Sequence, residues 1–379
     1  MWWRYLMLIL TGMTLAAGVY LTSRFYKFGW TAKMSGDRRW LRIVVSAGLA
    51  GLVFGLLWLK LGTFSAVVAL LHLVVIWALS DLVFFLIKKF RKADFRRYWA
   101  GIAAITVTAV YLTVGWVMAH HVWGVHYTVP TSKAVGSLRV ALVADAHVGT
   151  TFDGAGFAQW MAKLQGEKPD VVIVAGDFVD DDTSLADMRA ACAGLGSLDT
   201  PLGVYYVYGN HDKGYFDNSI RGYDGDDLAA ELEANGVTVL QDETVRLTGG
   251  FYLMGRKDRS EEMRGGRMSM DELVADALGV VWARDMSPDS YIIVADHQPQ
   301  DYDAQAQAGV DLVLSGHTHG GWLFPVNIIN QYTGNDDQIY GYERRDNTDF
   351  IVTSGISDWS LQFRTGCKSE YVIVDIQGQ

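Results

Sequence analysis

Two patterns of apolar residues divide the chain. Up to about residue 119 the apolar runs are long and nearly unbroken, at 3–22, 41–60, 64–87 and 99–119. Each is long enough to cross a bilayer, which takes about 20 such residues. From Leu138 onward the runs are short, rich in Val, Ile and Tyr, and closed by Gly, Asp, Asn or His. They read LRVALVAD, DVVIVAGD, GVYYVYGNHD, FYLMG, YIIVADH, VDLVLSGH, FIVTSG and YVIVDI. Runs of that length and composition predict strands buried on both faces. Helical patterns at 154–166, 183–196, 226–235 and 269–279 fall between several of them, and the alternation predicts a layered α/β domain. The stretch between the two parts begins with aromatics and continues with Pro, Ser and Gly. It predicts an interfacial linker over 123–137. The expected organisation is therefore a transmembrane domain of four helices at 1–122, the linker, and an α/β domain at 138–379.

Charge sharpens this division. Residues 1–130 hold 14 Lys and Arg against three acids, Asp37, Asp81 and Asp94, which leaves 18 basic and 39 acidic residues after them. Basic residues concentrate in two loops, Arg24, Lys27, Lys33, Arg38 and Arg39 in one and six more in KKFRKADFRRY in the other. The positive-inside rule places both loops in the cytoplasm. The chain then reads as a multi-pass protein of the cell membrane, with its acidic domain on the extracytoplasmic side and its first segment an uncleaved anchor. Asp81, His72 and Arg42 fall within or at the start of spans and are expected to face neighbouring helices. The two cysteines add little, and Cys192 in MRAACAGL reads as a small core residue on a helix.

The chemistry lies where the short runs end. Five strands close on a possible metal ligand: Asp145 and His147, Asp177, Asn210 with His211, His297, and His317 with His319. Five of the nine histidines sit there. Ligands at the carboxyl ends of strands converge on one crevice in α/β sheets. Mixed imidazole, carboxylate and amide donors suit Zn, Fe or Mn. The set is too large for one tetrahedral site, and two ions sharing a carboxylate would use it all. Glycines beside the ligands let the backbone turn and approach closely. Arg256, Lys257 and Arg259 in GRKDRS, and Arg364 in LQFRTG, are candidates to meet phosphoryl oxygens. No nucleotide-binding glycine loop is present, and nothing points to nucleic acid.

Taken in order, DAH, GDFVD, GNHD, H and GHTHGG resemble the blocks of the calcineurin-like metallophosphoesterase superfamily, most closely its membrane-anchored bacterial branch. The resemblance covers about 138–376. It implies a four-layer αββα sandwich with a dinuclear metal centre. One ion would take Asp145, His147, Asp177 and His319, and the other Asp177, Asn210, His297 and His317, with Asp177 bridging. His211 would be the acid facing substrate, oriented by Asp212. The implied activity is hydrolysis of a phosphate ester or pyrophosphate by a metal-bound hydroxide. Four membrane helices, and the apolar run GGWLFPVNII after the last histidines, point to a lipid or lipid-linked substrate. That run is either buried core or a contact with the membrane interface. The alternatives are an anchored hydrolase of soluble phosphoesters or nucleotides, and a non-catalytic phosphate-binding sensor.

Overall fold

The computed structural model describes residues 2–36, 38–92, 95–214, 221–264, 266–277, 290–334 and 336–379. It divides into two compact units. One comprises Met1–Val117 and Ser360–Phe363, the other Met118–Trp359 and Arg364–Gln379.

The first unit is helical: α1 (Trp2–Phe25), α2 (Gly29–Ser35), α3 (Arg39–Arg91) and most of α4 (Trp99–His120). Among the described residues, three helices are long and apolar enough to cross a membrane, not the four expected. The difference lies in α3, whose 53 residues take in the second and third apolar runs. A straight helix of that size would be about 80 Å long, against a hydrocarbon core of about 30 Å. Gly62 interrupts it with φ 76° and ψ 176°. The Arg42 guanidinium donates to the Phe28 carbonyl at 3.3 Å, and the Phe28 ring centroid lies 6.3 Å from that of Trp77. A straight helix would hold Arg42 and Trp77 about 50 Å apart. The chain therefore reverses at Gly62. The positive φ at this reversal is one that glycine adopts without strain.

Leu21, Phe25, Phe28, Leu70, Leu73 and Trp77 pack with Ala17, Ala50 and Ala104 in the core of this unit. The small residues let the helices approach closely. Asp81 faces its neighbours as expected: it pairs with Arg24 at 3.0 Å and accepts from the Tyr98 hydroxyl at 2.7 Å. The ring of His72 lies 5.7 Å from that of Tyr111.

In the second unit all eight short runs form strands. In chain order the elements are β1 (Val122–Pro130), β2 (Ser137–Val143), α5 (Gly154–Leu164), β3 (Val171–Ala175), α6 (Leu185–Gly196), β4 (Val204–Val207), α7 (Gly225–Ala234) and β5 (Val237–Val239). There follow β6 (Glu243–Thr248), β7 (Phe251–Gly255), α8 (Met270–Ala277), β8 (Tyr291–Ala295), α9 (Tyr302–Gln307) and β9 (Leu312–Ser315). The last are α10 (Val326–Thr333), β10 (Gly341–Arg345), β11 (Thr348–Val352) and β12 (Ser369–Gln377). The four expected helices are α5 to α8, and side chains cap three of them: Asp153, Ser184 and Asp224 accept from first-turn amides.

The strands form two six-stranded sheets, ordered β1-β12-β2-β3-β4-β5 and β10-β11-β9-β8-β7-β6. Val140, Leu142 and Ile173 of the first pack against Leu253, Ile293 and Leu314 of the second. On the outer face of the first sheet, Val172 and Tyr206 pack with Phe157, Cys192 and Leu228 of α5, α6 and α7. On that of the second, Val294 and Val313 pack with Leu273 and Tyr302 of α8 and α9. The result is a sandwich of two sheets between two helical layers. Cys192 is buried in that core, and both cysteines are free thiols.

The expected linker is corrected by β1. Residues 122–130 lie parallel to β12 from Val122↔Ser369 to Pro130↔Gln377. VWGVHYTVP alternates in exposure along an edge strand. Its aromatic and β-branched residues, read as membrane-interface anchors, are equally strand formers.

Candidate metal centre

Five strands of the two sheets end at one place. Asp145 and His147 follow β2, Asp177 and Asp180 follow β3, and Asn210 and His211 follow β4; His297 follows β8, and His317 and His319 follow β9. Both sheets thus contribute. The backbone ties the turns to one another: Asp145 N donates to Gly176 O at 3.0 Å, and His147 N to Asp177 O at 3.0 Å. Five of these residues have left-handed backbone, with φ of 54° at Asp145, 35° at His147, 50° at Asp177, 72° at His317 and 49° at His319. Non-glycine residues rarely adopt it, and such positions cluster at functional sites. At Gly316 a Cβ would lie 2.6 Å from Asp145 Oδ2, so only glycine lets β9 close on that carboxylate.

Three groups of possible ligands result, each with its atoms within 4.8 Å of one another: Asp145, His147 and His319; Asp177, His297 and His317; and His147, Asp180 and His211. Asp177 Oδ2 lies between the first two groups, 3.6 Å from His147 Nε2 and 3.2 Å from His297 Nε2. Asn210 Oδ1 is 3.2 Å from His297 Nε2. His297 Nδ1 lies 2.7 Å from the Ala175 carbonyl. That contact makes Nδ1 a donor and turns Nε2, the nitrogen that would ligate an ion, towards Asp177 and Asn210. Among the described residues, His147 Nε2 and His317 Nδ1 are buried without a hydrogen-bond partner, and His147 Nδ1 lies 3.5 Å from Asp180 Oδ2. Buried polar atoms are ordinarily satisfied, so orphaned imidazole nitrogens facing carboxylates fit the binding of a cation.

Burial opposes the charge of His297, but Asp177 and Asp145 prevail and raise it well above its ordinary value. Burial pushes the Asp145 carboxyl up to about 6. Burial acts the same way on Asp177, but His297 and His211 outweigh it and hold Asp177 well below the usual range. Burial, then the nearby His147 and Arg364, pushes His319 well below its ordinary value, and burial and His297 lower His317. Both are therefore neutral, the form in which imidazole ligates a metal. His211 is raised to about 9: burial opposes its charge, and Asp177 and Asp180 prevail.

The residue beside the His211 ring differs from the one expected. Asp212 turns away from it, and its two carboxylate oxygens accept from four amides, those of Asp177, Phe178, Val179 and Gly209, at 2.6–3.0 Å. It fixes the turns after β3 and β4. The carboxylate on His211 Nδ1 is Asp180, at 3.1 Å. Chain neighbours in a tight turn point apart, so adjacency in GNHD misleads. The last residue of GDFVD, three positions past Asp177, was the available signal.

The four basic candidates are also corrected. Arg256 is buried against Asp296 at 2.7 Å. Lys257 donates to Gly266 O, and Arg259 lies 3.4 Å from Asp301. Arg364 is fully buried, 3.2 Å from Asp358, and donates to carbonyls including those of Ser354, Ser357 and Lys368. Its Nη2 is 3.4 Å from His319 Nδ1, so it braces the site from behind. A cavity of about 290 Å³ opens over Asp177, His211, His317 and His319, walled by Trp322, Trp359, Asn330 and Asp336. Among the described residues no Lys or Arg lines it.

Residues 138–321 match the family model for calcineurin-like phosphoesterases. The chain is 29% identical over 255 residues to a cattle (Bos taurus) protein called transmembrane protein with metallophosphoesterase domain, covering 64% of this chain and 54% of that one. It is 27% identical over 400 residues to a zebrafish (Danio rerio) protein of the same name, covering 96% and 87%. An uncharacterized metallophosphoesterase of Aquifex aeolicus is 29% identical over 257 residues, covering 67% and 91%. The chain thus spans about half the length of the cattle relative and most of the other two.

Proposed function

We propose that this chain, whose residues 138–321 match the family model for calcineurin-like phosphoesterases, is a membrane-embedded dinuclear phosphoesterase acting on a lipid or lipid-linked phosphate ester or pyrophosphate. The observation that carries the reading is Asp177 Oδ2, set between two groups of buried imidazole and carboxylate donors.

Asp145, His147, Asp177 and His319 would hold one divalent ion, and Asp177, Asn210, His297 and His317 the other. The donor chemistry fits Mn, Zn or Fe. The chemistry such a pair would supply is polarisation of the phosphoryl oxygens and activation of a water. The protein supplies the rest. Asp180 holds His211 Nδ1, which directs the other ring nitrogen away from it and towards the cavity that His211 lines. His211, protonated at neutral pH, delivers a proton to the departing oxygen. Asp212 keeps the turns bearing Asp177 and His211 in register through its four amides. Trp322 and Trp359, with ring centroids 5.6 Å apart, wall the cavity against water.

The absence of Lys and Arg from the lining bears on substrate class. A nucleoside polyphosphate would bring several charges to a cavity whose described wall includes Asp336 and neither Lys nor Arg. A single ester or diester phosphate asks less of it. Purified full-length protein with Mn or Zn is expected to hydrolyse phospholipid esters in preference to nucleotides on a mixed panel. Chelation should abolish binding of phosphate as well as turnover. Preference for nucleotides would overturn the substrate class, and phosphate binding by the chelated protein would overturn the metals' part in it.

The membrane arrangement follows from the loops. With a reversal at Gly62 the apolar part makes four passes, and the positive-inside rule puts the phosphoesterase domain outside. In a background of Cys192→Ala and Cys367→Ser, single cysteines at the exposed positions Lys33 and Ser137 test this in intact cells. An impermeant thiol reagent is expected to mark position 137 and spare 33. The opposite pattern inverts the topology.

A further inference from the structure

The exposed large apolar side chains of the second unit are confined to one segment. Among its described residues they are Phe324, Val326, Ile328, Ile329, Tyr332, Tyr340 and Tyr342. Most belong to α10, which follows the metal-centre histidines within ten residues. Its amphipathicity is inverted. Asn327, Asn330 and Gln331, spaced i, i+3, i+4, share one face. Asn327 is half-buried and lies 3.4 Å from Gly366 O; Asn330 and Gln331 are exposed, the first lining the metal-centre cavity and the second a cleft that shares Asp336 and Ile339 with it. Ile328, Ile329 and Tyr332 occupy the opposite face and are exposed. An ordinary surface helix turns its apolar stripe towards the core. Here the polar stripe faces the site, and the apolar stripe faces away from the protein. The run GGWLFPVNII thus divides: Trp322 walls the cavity, and the residues from Phe324 onward do not enter the core.

We propose that the outer face of α10 docks into the lipid surface and sets the mouth of the phosphoesterase site at the level of the lipid phosphates. The inference rests on the function proposed above and deepens it. The occupant is a bilayer because the same chain carries helices long and apolar enough to cross one, and His121 alone separates α4 from β1. A lipid surface is therefore held at high effective concentration beside this unit by covalent linkage. The docking is apolar in character. No Lys or Arg occurs between Phe324 and Tyr342, so anionic headgroups add nothing to it.

The test uses the full-length protein in phosphatidylcholine nanodiscs, with the two native cysteines replaced as above. An environment-sensitive fluorophore is placed by Ile329→Cys, and a control by Glu233→Cys on α7. Doxyl-labelled phosphatidylcholine is expected to quench the label at 329 severalfold more than the control, equally with and without phosphatidylglycerol. Equal quenching of the two labels overturns the proposal, as does quenching that appears only with phosphatidylglycerol. Excimer emission from pyrene at 329 would mean that a second copy of the chain covers the face, and would also overturn it. In activity, the triple variant Ile328→Ser, Ile329→Ser and Tyr332→Ser should lose at least about tenfold in kcat/KM on phospholipid in the disc, the equivalent of about one apolar side chain no longer inserted. Its hydrolysis of nitrophenyl phosphate should be unchanged, and parallel loss on both substrates overturns the docking role. The two ideas fail separately. Quenching at 329 without phospholipid hydrolysis keeps the docking and removes the lipid substrate; phospholipid hydrolysis without quenching does the reverse.

Discussion

Asp177→Asn protein should fold, lose metal from both sites and turn over almost no phosphoester. The two oxygens of this carboxylate have different tasks. Oδ1 accepts the His211 backbone amide at 2.9 Å, which an asparagine carbonyl can also do. Oδ2 lies between His147 and His297, where the variant would place an NH₂ group with no lone pair to offer a cation. Altering a residue that merely supports a metal ligand typically costs about 10–100-fold in affinity or activity. A carboxylate shared by two ions should exceed that range. Metal analysis of the purified variant, alongside circular dichroism to verify folding, checks the result. Two ions per chain with undiminished activity would remove Asp177 from the mechanism.

His211→Ala should separate proton delivery from metal binding. The variant is expected to keep its metals and to lose about 10²–10⁴-fold in kcat on substrates with poor leaving groups, the usual worth of a general acid. On nitrophenyl phosphate the loss should be much smaller, because nitrophenolate departs without a proton. The backbone amide of residue 211 still reaches Asp177 Oδ1, so the turn itself survives the change. Equal losses on good and poor leaving groups would assign His211 to positioning rather than proton transfer. An equal fall in metal content would assign it to the metal sites, through its contact with Asp180 and the neighbouring His147.

The strands that carry the site were legible because each is buried on both faces and therefore apolar throughout: VVIVA, YIIVA and LVLS admit few other readings. The edges of the sheets were not. ETVRLT in β6 and GYERR in β10 are half-exposed, and their alternation is diluted by charge. β1 was hidden for a different reason, since Trp, Tyr and Val serve a sheet edge and a membrane interface equally well. The metal-ligand candidates could be named because a strand end followed by glycine and histidine is chemically unusual. Partners through space could not be named that way. Asp180 and Asp212 are both one turn from a strand end, and only the path of the backbone decides which of them meets His211. For the same reason Arg256 and Arg364 looked available in sequence, while the folded chain ties them to Asp296 and Asp358. Charge in a sequence has no address.

The left-handed backbone at Asp145, His147, Asp177, His317 and His319 bears on how this domain can change over generations. Asp, Asn and His are the side chains besides glycine that most readily tolerate that conformation. They are also the side chains that bind hard and borderline cations. One small alphabet therefore satisfies both the turn and the chemistry. An aspartate that drifts to asparagine keeps its turn while losing its charge, so a descendant could shed catalysis and retain the sandwich intact. Likeness of fold among such relatives says little about whether they are active. The identity of a few side chains at strand ends says a great deal.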